Sequence, residues 1–420
     1  MNYYPFNSCL EIYKSVKGAL AAGKDLRLRL LLHNDAKCRQ AYLILKDDKT
    51  GSENYIPLLA TDDYLEEYRF YETTLNLGEG LYFYAFKYTS DFGDFFVTRE
   101  KEGRGIVCRE KPRFWQLTVY EDDKCTPDWL SGGIIYQIFP DRFNSSGEGK
   151  KNVPSDRFIV SDKSQTPAYR QDTYPNSLGN DYYCGDLKGI EKKLDYLKSL
   201  NITCIYLNPI FEAHSNHRYN AADYLKIDPL LGNKEDFKSL CNAAHKKGIR
   251  IILDGVFSHT GDDSIYFNRN KRYGNGGAYN DYNSPYRQWY KFNSYPDGYS
   301  AWWGVKTLPE TNENSPSFTD FITGENGVLK YWQSLGADGW RLDVADELPD
   351  NFLDNIRKAV KSANKKSYLL GEVWEDASNK ISYGSRRRFL RGNQLDSVMN
   401  YPFANAIIDF VRTGNSDALK

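Results

Sequence analysis

The chain has no cysteine pair spaced as CxxC. Its seven cysteines, at 9, 38, 108, 125, 184, 204 and 241, are scattered and odd in number. That pattern argues against a disulfide framework and against a zinc site. No run approaches the roughly 18 consecutive apolar residues that a spanning helix needs. The opening MNYYPFNSCLEIYK has no basic start followed by an apolar stretch, so no signal peptide is read there. Excess charge is missing too: 55 Lys and Arg stand against 56 Asp and Glu, a formal net charge of -1. Without clustered positive charge the chain is a poor partner for nucleic acid. These absences lead to the expectation of a soluble, cytoplasmic protein with neither a membrane nor a nucleic-acid partner.

What is present is length and aromatic rings. The 420 residues leave room for about two or three domains of roughly 150 residues each, and for a sizeable core. Tyr (33), Phe (22) and Trp (8) make up 15% of the chain. Such rings serve a tyrosine-rich core as well as a surface that stacks on sugar faces, and composition leaves the two open.

Residues 1–125 read as β. Leu26, Leu28, Leu30 and Leu32 alternate within DLRLRLLLH, LYFYAFKY (81–88) follows the turn at Gly78-Glu79-Gly80, and FWQLTVY (114–120) closes the region. Short strands separated by turns such as DDKTG (47–51) predict an antiparallel sandwich, either a structural appendage or a carbohydrate-binding-like module. From 126 to 420 strands alternate with helices. GIIYQIF (133–139), CIYLN (204–208), IRIILDGVF (249–257), ADGWRLDV (337–344), SYLLGEV (367–373) and LDSVMN (395–400) are the strands. Helical spacing follows in 187–200, 234–248, 327–336, 348–363 and 402–412, and 382–392 fills the same place between the last two strands. Residues 258–325, rich in Gly, Asn, Tyr and Pro, form an excursion after the third strand. The predicted fold is α/β: a (β/α)8-type TIM barrel with about six of its eight units present.

In such a barrel the chemistry gathers at the C-terminal ends of the strands. Here those ends are polar: Asp254 with His259 beyond it, Arg341 with Asp343, and Glu372 with Trp374 beyond it. The loop after the second strand adds His217 and Tyr219. Asp343 and Glu372 lie one βα unit apart, hence on adjacent strands about 4.8 Å from each other. Carboxylates roughly 5 Å apart suit a retaining glycosidase, whereas inverting enzymes need about 6.5–9.5 Å.

These segments resemble the α-amylase family of glycoside hydrolases, particularly its neopullulanase-, cyclomaltodextrinase- and amylopullulanase-like members. The matching stretches are GGIIYQIFPDRF (132–143), LNPIFEAHSNHRYNAADY (207–224), DGVFSH (254–259), GWRLDVADE (339–347) and GEVW (371–374). The resemblance implies that Asp343 is the nucleophile and Glu372 the general acid/base. It implies that Arg341 keeps Asp343 ionised, with Asp254 supporting Arg341. His217, Tyr219 and His259 would hold the sugar at the cleavage point, and Glu347 and Trp374 would line the side of the leaving sugar. Trp302-Trp303, in the excursion, either stacks on glucan or packs inside that subdomain, with packing the favoured reading. No cofactor is needed for the chemistry. Some relatives hold a structural calcium near DRFNSSGEG (141–149) and Cys184-Gly185-Asp186, which would draw on Asn144 and Asp186. Relatives with this N-terminal module often dimerise, so a homodimer is implied alongside the α-glucan or maltooligosaccharide substrate.

The sequence also departs from the family. A third carboxylate usually follows a histidine late in the barrel, and none of the five histidines here (33, 214, 217, 245 and 259) precedes an Asp. The expectation is a C-terminally truncated chain with open sheet edges, low stability and impaired turnover. Three readings follow: an α-glucan hydrolase acting on α-1,4 and possibly α-1,6 bonds, a non-catalytic glucan-binding fragment, or a transglycosylase that uses the same intermediate.

Overall fold

The computed structural model describes residues 3–121, 126–150, 153–167 and 179–419. The expected domain boundary at 125/126 touches residues 122–125, which, with Cys125, lie outside the described residues. The other six cysteines are free thiols.

The alternation in DLRLRLLLH becomes the strand Asp25–His33, which pairs antiparallel with Tyr68–Asn76 and sets Leu30 opposite Tyr71. Arg29 breaks the pattern because it is buried. It pairs with Asp63 and with Glu72 (3.2 Å), its guanidinium 3.8 Å above the Phe70 ring, so the charge is compensated where it sits. Nine strands between Leu20 and Tyr120 join in one sheet. The long strand Glu53–Leu65 pairs first with Cys38–Asp47 and then with Tyr68–Asn76, with a register break between Ala60 and Tyr64. The sheet turns back on itself, so that Leu28, Leu30 and Phe70 share a buried core with Leu43, Phe86 and Trp115. The region is all-β as expected, but one folded sheet takes the place of two separate ones.

The second half is a curled parallel sheet. Its strands are β1 (Ile135–Ile138), β2 (Cys204–Leu207), β3 (Arg250–Gly255), β4 (Gly339–Leu342), β5 (Tyr368–Gly371) and β6 (Ser397–Val398). Each pairs with the next in chain order, leaving β1 and β6 as its edges. This is the arrangement of an incomplete (β/α)8 barrel. Helices α1 (Leu187–Lys192) and α2 (Leu194–Ser199) follow β1. Then come α3 (Lys234–Lys246) after β2, α4 (Pro316–Thr323) and α5 (Val328–Ser334) after β3, α6 (Asp350–Ala363) after β4 and α7 (Tyr401–Thr413) after β6. Helix α3 shows why these segments are helical. Asn233 and Asp236 form a reciprocal capping box, and Phe237, Leu240, Cys241 and Ala244 recur at helical spacing on the buried face. Among the described residues no helix is long and apolar enough to cross a membrane.

Two expectations about helices are corrected. The helix expected over 187–200 is two short ones, interrupted at Lys193. The segment 382–392 is not helical. Strands Ile381–Ser382 and Ser385–Arg386 form a hairpin around Tyr383 and Gly384, both at positive φ (51° and 77°), a backbone that suits a tight hairpin turn and no helix. Its neighbours Arg387 and Phe389 are buried, and Arg386 reaches the N-terminal sheet through a two-pronged pair with Asp48 (2.8 and 2.9 Å).

Side chains alternate along the barrel strands. Ile205, Leu207, Ile251, Leu253, Trp340, Leu342 and Leu369 belong to the large core shared with the helices. Cys204, Tyr206, Ile252, Tyr368 and Leu370 form a separate cluster on the inner face. Asp254, Arg341, Asp343 and Glu372 continue this inner parity toward the C-terminal ends.

Candidate active site

Strand register builds the centre of the site. Asp254 on β3 lies beside Arg341 on β4, and Leu342 beside Gly371 on β5, so Asp343 and Glu372 emerge side by side one residue further on. The Glu372 amide donates to the Leu342 carbonyl (3.0 Å), which extends the parallel ladder to the carboxylates themselves. Arg341 then joins all three acids. Its Nη1 contacts Asp254 Oδ1 (2.8 Å) and Asp343 Oδ1 (2.7 Å), and its Nη2 contacts Glu372 Oε2 (2.8 Å). Glu372 Oε2 also accepts from the Val344 amide (2.9 Å), and Oε1 accepts from the Tyr401 hydroxyl (3.1 Å).

Three carboxylates surround one guanidinium, so the cluster cannot balance its charge with every acid ionised. Burial, followed by repulsion from Asp254, holds the Asp343 carboxyl up to about 8 although Arg341 pulls it down. Burial likewise keeps Asp254 above the ordinary carboxylate range despite Arg341 and two tyrosine hydroxyls. Glu372 goes the other way: burial would raise it, but Arg341 and the Val344 N–H outweigh that and hold it low. Arg341 is expected from the sequence to depress Asp343; in the fold that gain goes to Glu372.

The loop after β2 brings in His217 and Tyr219. Between them Arg218 takes a left-handed φ of 61°, and its fully buried guanidinium pairs with Asp228 (3.1 Å) and donates to the Asn216 carbonyl (2.6 Å). With that anchor in place, the His217 and Tyr219 rings stack at 6.0 Å, and the Tyr219 hydroxyl donates to Asp254 Oδ2 (2.9 Å). His259 is buried with its ring 5.1 Å from that of Trp302. Burial drives both His217 and His259 down to about 4, so both are neutral at pH 7.

At the mouth, Glu347 accepts the indole N–H of Trp302 (2.7 Å) and of Trp303 (2.8 Å), and Trp303 meets Trp374 edge-on at 5.8 Å. Trp303 is 69% exposed. The favoured reading, that this pair packs inside the excursion, is therefore corrected, and the alternative of an exposed stacking surface fits better: Glu347 holds both indole N–H groups at the mouth. A cavity of about 290 Å³ adjoins them, lined also by Lys291, Glu313 and Tyr383.

All nine sequence-derived residues thus converge on one region. Several further groups were missed. Tyr206 donates to Asp254, Asn208 donates to the Tyr219 hydroxyl (3.1 Å) and accepts from Gln137 (2.8 Å), and Tyr401 contacts Glu372. The inner-face parity of β1 and β2 marks Gln137, Tyr206 and Asn208, and Tyr401 stands where β6 gives way to its helix.

Asn144 and Asp186 come together away from this centre, but their donors do not fit a calcium ion. The Asn144 amide donates to the Gly189 carbonyl (3.0 Å). Asp186 caps α1 through the Gly189 amide (2.6 Å), accepts from Ser146 Oγ (2.7 Å) and pairs with the Lys150 ammonium. A cation is thus already supplied by the chain, and among the described residues no group of three or more His, Cys, Asp or Glu is arranged to hold a metal.

The parallel βα sheet, with an arginine-linked acid cluster at its C-terminal edge, defines a barrel protein whose polar centre lies at the strand ends. The chain belongs to the α-amylase family: the family's catalytic-domain model matches residues 137–419. It is 37% identical over 439 aligned positions to an amylopullulanase of Thermoanaerobacter thermohydrosulfuricus, covering 95% of this chain and 29% of that protein. A cyclomaltodextrinase of Thermoanaerobacter pseudethanolicus is 34% identical over 380 positions, 88% of this chain and 61% of that one. Among solved structures, the type III pullulan hydrolase from Thermococcus kodakarensis superimposes with a TM-score of 0.60 at 26% identity, over 99% of this chain and 68% of that one. The chain therefore spans less than two thirds of the length of either of those two sequence relatives.

Proposed function

We propose that the chain carries the catalytic centre of an α-glucan hydrolase that cleaves α-1,4 bonds, and α-1,6 bonds where the cleft admits them, with retention of configuration. The observation that supports this reading is the placement of Asp343 and Glu372 on adjacent strands, both tied to Arg341. The relatives' names, which point to pullulan and cyclic dextrins, favour starch-type substrates.

In this reading Asp343 attacks the anomeric carbon while Glu372 gives its proton to the departing glycosidic oxygen. Glu372 then takes a proton from the water that releases the sugar. Attack requires ionised Asp343 and protonated Glu372, whereas burial and Asp254 favour the proton on Asp343, and Arg341 with the Val344 N–H favours ionised Glu372. The three acids share one guanidinium, so their titration belongs to the group rather than to one acid. A glucan oxygen placed against Glu372 would break the Arg341–Glu372 contact, favour transfer of the proton from Asp343 to Glu372 and turn the guanidinium wholly to the ionised Asp343 and to Asp254. His217, Tyr219 and His259 would hold the sugar being cleaved, with Glu347 and Trp374 beside the leaving sugar. A cytoplasmic location and a homodimer complete the proposal.

The test is proton NMR of maltooligosaccharide cleavage at early times. The α-anomer should appear first. Initial release of the β-anomer would refute the assigned roles.

A further inference from the structure

A second cavity, of about 530 Å³, opens between the N-terminal sheet and the barrel. Its lining includes Lys14, Lys17, Tyr84, Gln116, Thr118 and Ser378. None of the acids, histidines or tryptophans of the catalytic region takes part, so the inference does not depend on the function proposed above. The volume falls within the range of small-molecule sites, and a junction between domains is a common place for one.

Two of its side chains are unusual. Lys14 is 4% exposed, and its ammonium donates to the Gly18 carbonyl at 2.8 Å. Among the described residues no carboxylate pairs with it, and burial pushes it below the ordinary lysine range with only the Cys9 thiol to oppose the effect. A buried ammonium lacking a counter-charge is a costly arrangement. Tyr84 is fully buried, lines the same cavity, and its hydroxyl has no hydrogen-bond partner. Burial raises its phenol, so it stays an O–H donor near neutral pH. At the rim, Lys17 is held only by Glu11 at 3.8 Å, with both side chains well exposed.

A buried cation, an unused donor and a second ammonium at the entrance are complementary to an anion with several acceptor oxygens. A neutral glucan would leave the Lys14 charge uncompensated. A carboxylate would offer two acceptor oxygens where these donors can engage three. We propose that this interdomain cavity binds a phosphate group, free or carried on a small sugar, with Lys14 as its counter-charge and Tyr84 Oη as a hydrogen-bond donor.

The 420-residue chain is titrated with inorganic phosphate at constant ionic strength, using chloride as the control, and followed by calorimetry and thermal unfolding. Glucose 1-phosphate and glucose form parallel arms. Phosphate should bind and raise Tm where chloride does not. Lys14→Met, which keeps the buried stem, should weaken phosphate at least about tenfold. Tyr84→Phe, which removes one donor, should weaken it about fivefold. Tighter binding of glucose 1-phosphate would identify a sugar ester as the ligand, and equal or weaker binding would identify free phosphate. The proposal is overturned if phosphate does no more than chloride, if glucose alone binds as well as its phosphate, or if both variants bind phosphate like the parent chain.

Discussion

Asp343→Asn should stabilise the fold at neutral and higher pH while abolishing turnover. The carboxyl is only 9% exposed and shares one guanidinium with two other acids. Because the folded state holds it up to about 8 rather than 3.8, the native protein keeps a proton that the unfolded chain has released between about pH 4 and 8. Stability therefore falls as pH rises through that window. At about 1.4 kcal/mol per pH unit the ceiling is on the order of 5 kcal/mol at pH 8. Asparagine keeps the shape and an oxygen for Arg341 but loses the attraction of a full charge. A net gain of about 2–3 kcal/mol is therefore expected at pH 8, shrinking below about 1 kcal/mol near pH 5. For a folded unit of this size that is roughly 3–5 °C in Tm at pH 8. The assay is thermal unfolding of both proteins at pH 5, 6, 7 and 8, with Asp254 and Glu372 intact. A variant less stable at pH 8, or a difference that does not change with pH, would show that Arg341 compensates all three acids and that the charge argument fails.

Glu372→Gln should lose far less activity on an aryl α-glucoside with a good leaving group than on maltotriose once azide replaces water in the second step. Equal losses would contradict its role as acid. The Tyr401 hydroxyl donates to Glu372 (3.1 Å) and so favours its ionised form. Tyr401→Phe should shift the alkaline limb of the kcat profile upward by a few tenths of a pH unit, about what one net hydrogen bond supplies. An unmoved limb would remove Tyr401 from the site. Lys150→Met would strip a buried carboxylate of its cation and should destabilise by about 3 kcal/mol, whereas a chelator should leave the parent chain's Tm unchanged; a large drop with chelator would show that a metal does bind near Asp186.

The candidate constellation is legible because three signals agree. Apolar strands end in polar residues, the spacing of Asp343 and Glu372 equals one βα unit, and long motifs surround both. The hairpin at 381–386 is not legible as strand because the alternation of its neighbours outweighs the local turn residues Tyr383 and Gly384. For Trp302 and Trp303 the less favoured of two readings holds, for a related reason. Large rings usually pack inside, and no pattern near them shows that Glu347, more than 40 residues later, takes both indole N–H groups. The folded-back N-terminal sheet depends on a register break between Ala60 and Tyr64 that leaves no mark on the alternation.

The protonation of the site lies further still from the sequence. Read as a pair, Arg341 and Asp343 form an ordinary ion pair, and the arginine should depress the acid. In the fold, β3 and β5 each deliver another carboxylate to the same guanidinium, so the question becomes which acid a single cation can keep ionised. Glu372 is favoured because a backbone N–H and a tyrosine hydroxyl add to its share, while Asp343 is more deeply buried and faces Asp254. The order that hydrolysis needs must then come from the substrate, by competing for Glu372 at the point where the glycosidic oxygen arrives. That makes Arg341 the hinge of the charge balance. Arg341→Lys keeps the charge, but an ammonium has no planar fork to span Asp343 and Glu372. It should lower kcat at least about 100-fold with a much smaller change in KM, as expected for a group whose contribution grows in the transition state. A variant that loses affinity while keeping kcat would mean that Arg341 merely shapes the pocket and that the proton order is set elsewhere.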